Sequence, residues 1–281
     1  MSWLCGTNVG GEKVRQIITL TTDFGESYYV GAMKGAILNI CPQVCIVDIT
    51  HQITPHNILE ASFFLRCFYS YYPSQTIHLV VVDPEVGSER RGIIVSAGRQ
   101  TFIGPDNGVF SLVYSQEEVD KVICIDAKQN FGIPVTPTFH GRDIFGPVAA
   151  WLARGRPMES FGEKIEDYIV KPLLSIQKVG ENLLEGTVIH VDKFGNVITS
   201  FSPEDVSNVL GQTGTPKFFI NGEEVSQQYQ FYAEAKPGEV FFLIGSSGYY
   251  EIAAYGENAS AILGVDCGEK IALELSEFQD N

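Results

Sequence analysis

The sequence predicts an α/β protein in two domains: a mainly parallel sheet with flanking helices over residues 16–170, and an antiparallel β-barrel or sandwich over residues 183–281. Three observations carry this expectation. Strand-like apolar runs alternate with stretches of helical spacing from Gln16 to about Arg156, the signature of strands joined by crossover helices. The texture changes beyond Pro157. From Leu183 onward, short β-rich runs are broken at close intervals by turn residues.

Taken in order, Ile17-Ile18-Thr19-Leu20-Thr21-Thr22 reads as a strand, and Tyr29 to Ile40 has helical apolar spacing that Pro42 stops. Val44 to Ile49 is the next strand. Pro55 opens a helix to about Tyr71, with Ile58, Ala61, Ser62, Leu65 and Phe68 or Tyr69 on one face, and strand Thr76 to Val82 follows. Repeated strand–helix–strand units of this kind give parallel pairing with helices on the faces. Further strands are expected at Gly92–Ala97, Thr101–Ile103 and Val122–Ile125, and a helix at Ile144–Ala153. Residues 159–182 form a mixed polar connection. In the second domain the turn signals are Gly195-Asn196, Asn221-Gly222, Pro237-Gly238, Gly245-Ser246-Ser247-Gly248 and Gly268, and no apolar period of helix length survives. Repeats and low-complexity tracts are absent.

At 281 residues, 44% hydrophobic and 19% charged, the composition is ordinary for a globular chain. The net charge of −15, from 34 acidic against 19 basic residues, argues against nucleic-acid backbone binding, which needs a surplus of Lys and Arg. Met1 to Arg15 holds no apolar leader, and no run approaches the roughly 18 apolar residues of a membrane helix. A soluble cytoplasmic protein is expected. The six cysteines, Cys5, Cys41, Cys45, Cys67, Cys124 and Cys267, are scattered and read as small core hydrophobes. Cys41 and Cys45 enclose three residues rather than two, and no His/Cys set completes a metal site, so no metal is expected.

The strand ending at Val82 empties into Asp83-Pro84-Glu85-Val86-Gly87-Ser88-Glu89-Arg90-Arg91 at its carboxyl end, where open α/β sheets place their ligands. Asp83 with Arg90 and Arg91 suits orienting a nucleophile or holding an anion, and a solvated turn with a surface ion pair fits the loop equally well. Asp23, in Thr21-Thr22-Asp23-Phe24-Gly25, suits a cis-diol such as a ribose, although a cap on the next helix is the stronger reading of the position alone. No Gly-rich dinucleotide or triphosphate loop is present. His140, in Phe139-His140-Gly141-Arg142-Asp143, stands at a loop-to-helix junction with Asp143 placed to cap the helix. Gly104-Pro105-Asp106-Asn107-Gly108 is a turn by composition. His51, His56, His78 and His190 have no such context. In the second domain Asp192, Phe194 and Asn196 offer a carboxylate, an aromatic face and an amide, though a plain hairpin turn fits the spacing better. Ser246 and Ser247 offer hydroxyls and amides to a carboxylate, or form a flexible loop.

Together, the motifs at 21–25, 81–84 with Arg90-Arg91, 104–108, 139–143 and 192–196 resemble the S-adenosyl-L-methionine (SAM) hydroxide adenosyltransferase family, adenosine-forming SAM hydrolases that are kin to the fluorinase and chlorinase. The resemblance runs in order over about residues 16–276. It implies hydrolysis of SAM to adenosine and L-methionine by water or hydroxide attacking the ribose C5′, with SAM as substrate and neither cofactor nor metal. By resemblance Asp83, Arg90 and His140 form a polar triad: Asp83 accepts or orients the water proton, Arg90 stabilises developing hydroxide and His140 relays the proton. Asp23 would bind the ribose hydroxyls, Asp192 the methionine ammonium, Phe194 the adenine face and Asn196 its edge. Ser246 and Ser247 would face the methionine carboxylate, and Asn107 and Ala259 complete the substrate-binding set. Family members are homotrimers, with sites between the first domain of one subunit and the second of its neighbour.

Halide-using relatives typically carry Tyr at the place of His140 and hydroxyl or aromatic residues at that of Asp83, whose carboxylate would repel a halide. Halide-dependent synthesis of 5′-halo-5′-deoxyadenosine is the alternative chemistry, and a SAM or adenosine sensor without turnover the alternative class. Three positions depart from the family pattern: Glu85 replaces the Gly of Asp-Pro-Gly, Ser27 or Tyr28 stands where an acidic residue is usual, and Glu257 replaces a Gly before Asn258.

Overall fold

The computed structural model describes residues 15–129, 131–132, 134–211 and 214–276; Cys5 and nearly all of the N-terminal segment read above for a leader lie outside them. The chain divides into two compact units between Lys171 and Pro172. No helix among the described residues is long and apolar enough to cross a membrane.

The first unit runs β1 (Ile17–Thr22), α1 (Tyr28–Ile40), β2 (Cys45–Thr50), α2 (Ile58–Phe68), β3 (Ile77–Val81), β4 (Gly92–Ala97), β5 (Gln100–Pro105), α3 (Ser111–Tyr114), β6 (Val119–Ile125), α4 (Gly146–Ala153) and β7 (Gly162–Lys164). Its seven-stranded sheet has the order β2-β1-β3-β5-β4-β6-β7. Strands β2, β1, β3 and β5 are parallel, as the alternation of strands and helices predicted. From β4 outward the pairing is antiparallel. The reversal comes from the tight turn at Gly98 and Arg99, both in the left-handed region (φ 55° and 63°), which sends β5 back along β4 as a two-residue hairpin. Central strand β3 is buried on both faces. Leu79 and Val81 pack with Ile18, Leu20, Met33, Ile37 and Phe145, whereas Val80 and Val82 pack with Ala61, Leu65, Phe102 and Phe110. That two-sided burial explains why the strand is a continuous apolar run rather than an alternating one. Helix α2 begins three residues later than Pro55 implied. Asn57 caps it by accepting from Glu60 N, and Glu60 reaches back to Thr54 N, so Pro55 and His56 belong to the loop.

The second unit runs β8 (Gln177–Lys178), β9 (Leu183–Val191), β10 (Val197–Thr199), α5 (Pro203–Leu210), β11 (Thr215–Ile220), β12 (Glu223–Val225), β13 (Val240–Ile244), β14 (Tyr250–Ala254), α6 (Ala259–Leu263) and β15 (Lys270–Ser276). The order is β12-β11-β15-β9-β10-β14-β13, with β8 beside β9, and every pairing is antiparallel. Val225 and Phe242, from the two ends of that order, share one core with Leu184, Val197, Phe218, Ile252 and Leu273, so the sheet curls into a nearly closed barrel. Two short helices interrupt what the sequence suggested was free of them. Helix α5 has Ser202 as its N-cap, Pro203 in its first turn and left-handed Gly211 as its C-cap; α6, without a proline, is capped by Asn258 and left-handed Gly264. The described cysteines are half-buried rather than in the core, Cys41 at the end of α1, Cys45 on edge strand β2 and Cys267 donating its thiol to the Ile189 carbonyl.

Candidate active site

Asp83 follows the end of β3 at Val81, and that end is braced from the side. The Asn107 amide donates to the Val82 carbonyl (2.9 Å) and accepts from Val109 N (3.2 Å). Beyond Asp83 the chain turns twice, with Val86 N bonded to Asp83 O and Ser88 N to Glu85 O, and Arg90 N donates to Ser88 Oγ. The double turn brings Arg90 back onto Asp83. Its Nε donates to Oδ1 (2.8 Å) and its Nη2 to Oδ2, a two-pronged pair whose side chains are only 6% and 5% exposed. That burial decides against a solvated surface pair, because two desolvated charges persist only when held by such geometry. Arg91 goes elsewhere: it donates to Asp106 and to Asp167, fastening the 165–169 segment beside β5. The two arginines therefore separate into one candidate site residue and one structural tie.

Arg90 Nη2 also lies 3.0 Å from His140 Nδ1. A guanidinium has no acceptor, so Nδ1 must accept and the ring proton sits on Nε2. Burial, reinforced by the Arg90 charge, holds the imidazole below its ordinary 6.5, with Asp83 and Asp143 acting in the opposite sense. At neutral pH His140 is a neutral Nε2–H donor. It caps a single π-helical turn, Gly141–Phe145, a rare element that tends to occur at functional positions. Asp143 does not cap the helix as its position suggested. It is fully buried, and its carboxylate is turned back onto Thr136 and Arg142.

Asp23 does not cap α1 either; Ser27 occupies that place and makes no side-chain cap. The Asp23 Oδ2 accepts from His56 N (2.9 Å), and Gly25, at φ 61°, donates to the His51 carbonyl (2.7 Å). His51, which the sequence left without context, bridges Thr22 Oγ1 (2.9 Å) and Asp48 (3.1 Å), and Lys34 grips Asp48 from the other side (2.5 Å). Burial works to raise the Asp48 carboxyl, but the bonds from Lys34 and His51 outweigh it and keep it low. A methyl placed on Gly141 would touch Phe24 and Val81, each at 3.4 Å. The ends of β1 and β3 and the His140 turn thus converge, and Asp23, Asp83, Arg90 and His140 belong to one neighbourhood of the first unit.

In the second unit Asp192 organises its own turn. Its Oδ1 accepts from Phe194 N (2.8 Å) and Asn196 N (2.9 Å), and its Oδ2 from the Asn196 amide (3.1 Å). Phe194 is left 66% exposed, with Lys193 Nζ 4.9 Å from its ring centre. Ser260 N donates to Gly195 O (2.9 Å), which seats buried Ala259 and the start of α6 against the turn. Ser246 and Ser247 form the tip of the β13–β14 hairpin, closed by bonds from Gly245 N to Tyr249 O and from Gly248 N to Gly245 O. Beneath that tip Glu251, on β14, accepts from the Tyr232 hydroxyl. Burial first, then the Asp192 charge, pushes the Glu251 carboxyl up, so the two carboxylates sense one another. Neither Glu251 nor Tyr232 carries a sequence signal: their partnership spans 19 positions, across β13 and its hairpin.

Comparison with known proteins follows the same division. Residues 18–162 match the model of the SAM hydroxide adenosyltransferase N-terminal domain, and residues 186–272 that of the C-terminal domain. A protein named (R)-S-adenosyl-L-methionine hydrolase from Methanocaldococcus jannaschii is 35% identical over 272 residues, covering 93% of this chain and 97% of its own. One of the same name from Salinispora tropica is 30% identical, covering 90% of this chain and 96% of its own. A fluorinase from Actinopolyspora mzabensis is more distant, at 24% identity over 85% of this chain and 90% of its own. Among solved structures, an uncharacterised conserved protein from Thermotoga maritima superposes with a TM-score of 0.81 at 34% identity, covering 91% of this chain and 99% of that one.

Proposed function

The chain belongs to the SAM hydroxide adenosyltransferase family, and on that premise we propose that it is an enzyme that hydrolyses SAM to adenosine and L-methionine. The observation that carries the reading to the residues is the bonded line Asp83–Arg90–His140 at the carboxyl end of β3, its Asp83–Arg90 pair buried and His140 half-buried. In the reaction a water oxygen bonds to C5′ while the C5′–S bond breaks, its electron pair goes to sulfur, and one proton is released. The sulfonium is already a good leaving group, so the protein has chiefly to orient the water and take its proton.

Asp83 is the acceptor in this scheme, because Arg90 cannot accept and His140 already carries its proton on Nε2. Arg90 stabilises the oxygen as negative charge develops, and His140 Nε2–H donates to the same oxygen, which holds one lone pair in line. Asp23 takes the ribose hydroxyls. Asp192 receives the ammonium at Oδ2, which its own turn engages through the Asn196 amide alone, Phe194 stacks on adenine, and Asn196 meets its edge. Ser246 and Ser247 meet the carboxylate, and Ala259 closes the pocket wall. Asn107 has both amide atoms committed to Val82 and Val109, so its part is to hold the strand end that bears Asp83.

A halide nucleophile is disfavoured by the buried Asp83 carboxylate, and the hydrolase relatives match at higher identity than the fluorinase. No metal or cofactor enters the scheme. A homotrimer with its sites at subunit interfaces belongs to the same proposal, as does a cytoplasmic location. Sedimentation would test the trimer. Incubating the protein with SAM and resolving the products by chromatography tests the activity: adenosine and methionine are expected, and their absence sinks the reading, as would 5′-halo-5′-deoxyadenosine on adding chloride or fluoride.

A further inference from the structure

The hydrolase scheme gives no task to the buried carboxylate of Asp143. Asp143 is completely buried, and its carboxylate accepts four bonds: from Thr136 N (2.8 Å), Thr136 Oγ1 (2.5 Å), Arg142 Nε (2.6 Å) and Arg142 Nη2 (3.1 Å). Burial works to raise its carboxyl, but these bonds prevail and hold it below its usual 3.8, so it is ionised inside the fold. A charge kept there satisfies its own desolvation only through such bonds, and an apolar residue would serve packing alone as well.

Both of its attachments lead to the catalytic line. Thr136 fixes the segment 134–138, and the Pro137 carbonyl of that segment occupies the space a methyl on Gly87 would need, so it lies against the middle of the turn between Asp83 and Arg90. Gly87, at φ 83°, is in a backbone region that favours glycine. On the other side Asp143 N bonds to Phe139 O (3.0 Å), closing the turn around His140. Arg142, bound to Asp143, stacks on the Phe139 ring at 4.9 Å and clasps the residue before His140.

We propose that Asp143 is a positioning residue for the hydrolysis, clamping the 134–138 segment onto the Asp83–Arg90 turn and locking the His140 turn, so that Arg90 and His140 stay in contact while Asp143 never touches substrate. The inference rests on the hydrolase reading, but one of its tests does not. The charged groups facing His140 are Arg90, Asp83 and Asp143. In the substrate-free protein, titration of the His140 imidazole by NMR should therefore shift to lower pH in Asp143→Asn, since a carboxylate that favours the imidazolium is gone.

In the enzyme assay Asp143→Asn should lower kcat on the order of 100-fold and leave KM within about threefold, the expected cost of misplacing a reacting group. A rise in KM at constant kcat would make Asp143 a substrate contact and overturn the proposal, as would an unchanged kcat with an unchanged His140 titration. If the natural protein forms no adenosine, the hydrolase reading falls, while the His140 tautomer still decides the clamp: loss of the Nε2–H form in Asp143→Asn, read from the ring-nitrogen shifts, supports it and an unchanged tautomer overturns it. If Asp143→Asn does not fold, Thr136→Val removes only one of the four bonds. A loss of about tenfold in kcat at constant KM then supports the clamp, and an unchanged kcat overturns it.

Discussion

The two units present polar groups in opposite states. In the first unit the Asp83 and Arg90 side chains are buried and paired, Arg90 is bonded in turn to half-buried His140, and the turn that carries Asp83 and Arg90 is held from below by Asn107 and from the side by the 134–138 segment. In the second unit Phe194 is two-thirds exposed, Ser246 is exposed, and Asp192 is satisfied chiefly by the backbone of its own turn. The contrast separates two physical tasks. Groups that stabilise charge in a transition state work best when fixed in advance in a dry site, whereas groups that recognise a ligand can rest in solvent until it arrives. On this view substitutions in the first unit should change kcat and those in the second KM.

The largest effect is expected where a pre-bonded group is removed. Asp83→Asn keeps the shape and one acceptor but loses the charge that takes the proton and pairs with Arg90. Turnover followed by chromatography should fall by about 10³-fold, within the usual contribution of a positioned acid or base. Only a small KM change should accompany it. A protein that retained most of its kcat would end the contrast. Asp192→Asn comes next: the amide oxygen can still accept from Phe194 N and Asn196 N, so the turn persists while the charge facing an ammonium is lost. A hydrogen bond to a charged group is worth about 1.5–3 kcal/mol, so KM should rise about 10- to 100-fold with kcat little changed. If kcat fell instead, the second unit would be part of the chemical machinery.

The pH profile sharpens the same division more gently. His140 is held below its ordinary 6.5 by burial and by Arg90, so the neutral form still predominates at pH 6.5 and the midpoint of protonation lies below it. Protonation would place two cations face to face and break the Arg90 contact. The rate should therefore fall on an acid limb whose midpoint lies below pH 6.5, approaching about tenfold per pH unit well below that midpoint, with KM flat over the limb. An acid limb centred above 6.5 in kcat/KM would contradict the neutral Nε2–H state.

Much of this was legible because it is local. Asp83 and Arg90 lie seven positions apart at the end of an obviously buried strand, and the alternation of strands and helices specified the parallel half of the first sheet. The antiparallel half was hidden in Gly98-Arg99, a two-residue reversal that composition does not distinguish from any other turn. The α5 signals were present in Ser202, Pro203 and Gly211, but eight residues are too few for a helical period to stand out. What could not be read were partnerships set by tertiary packing. Lys34, Asp48 and His51 come together beside Thr22 from α1 and from the end of β2, and Glu251 meets Tyr232 across β13 and its hairpin. Asp143 looked like a helix cap because its sequence position suited one, and only burial against Thr136 shows that its carboxylate points the other way.

The smallest expected effect concerns Glu85, which replaces a glycine of the family pattern in the middle of the pre-bonded turn. If that turn needed glycine there, Glu85 would be strained and the catalytic line disturbed. It is not among the non-glycine residues with positive φ, its side chain is exposed, and its carbonyl accepts from Ser88 N as a backbone group of any residue could. The residue that does need glycine is Gly87, two positions on, with its positive φ and the Pro137 carbonyl against it. Glu85→Gly should accordingly leave kcat and KM within about twofold and stability within about 0.5 kcal/mol, as for a surface change away from special geometry. Gly87→Ala should lower kcat without raising KM, because a methyl there must push the 134–138 segment off the turn. Steady-state kinetics on the pair decides the point: a large gain from Glu85→Gly, or none lost from Gly87→Ala, would show that the turn is not held from the side as its packing implies.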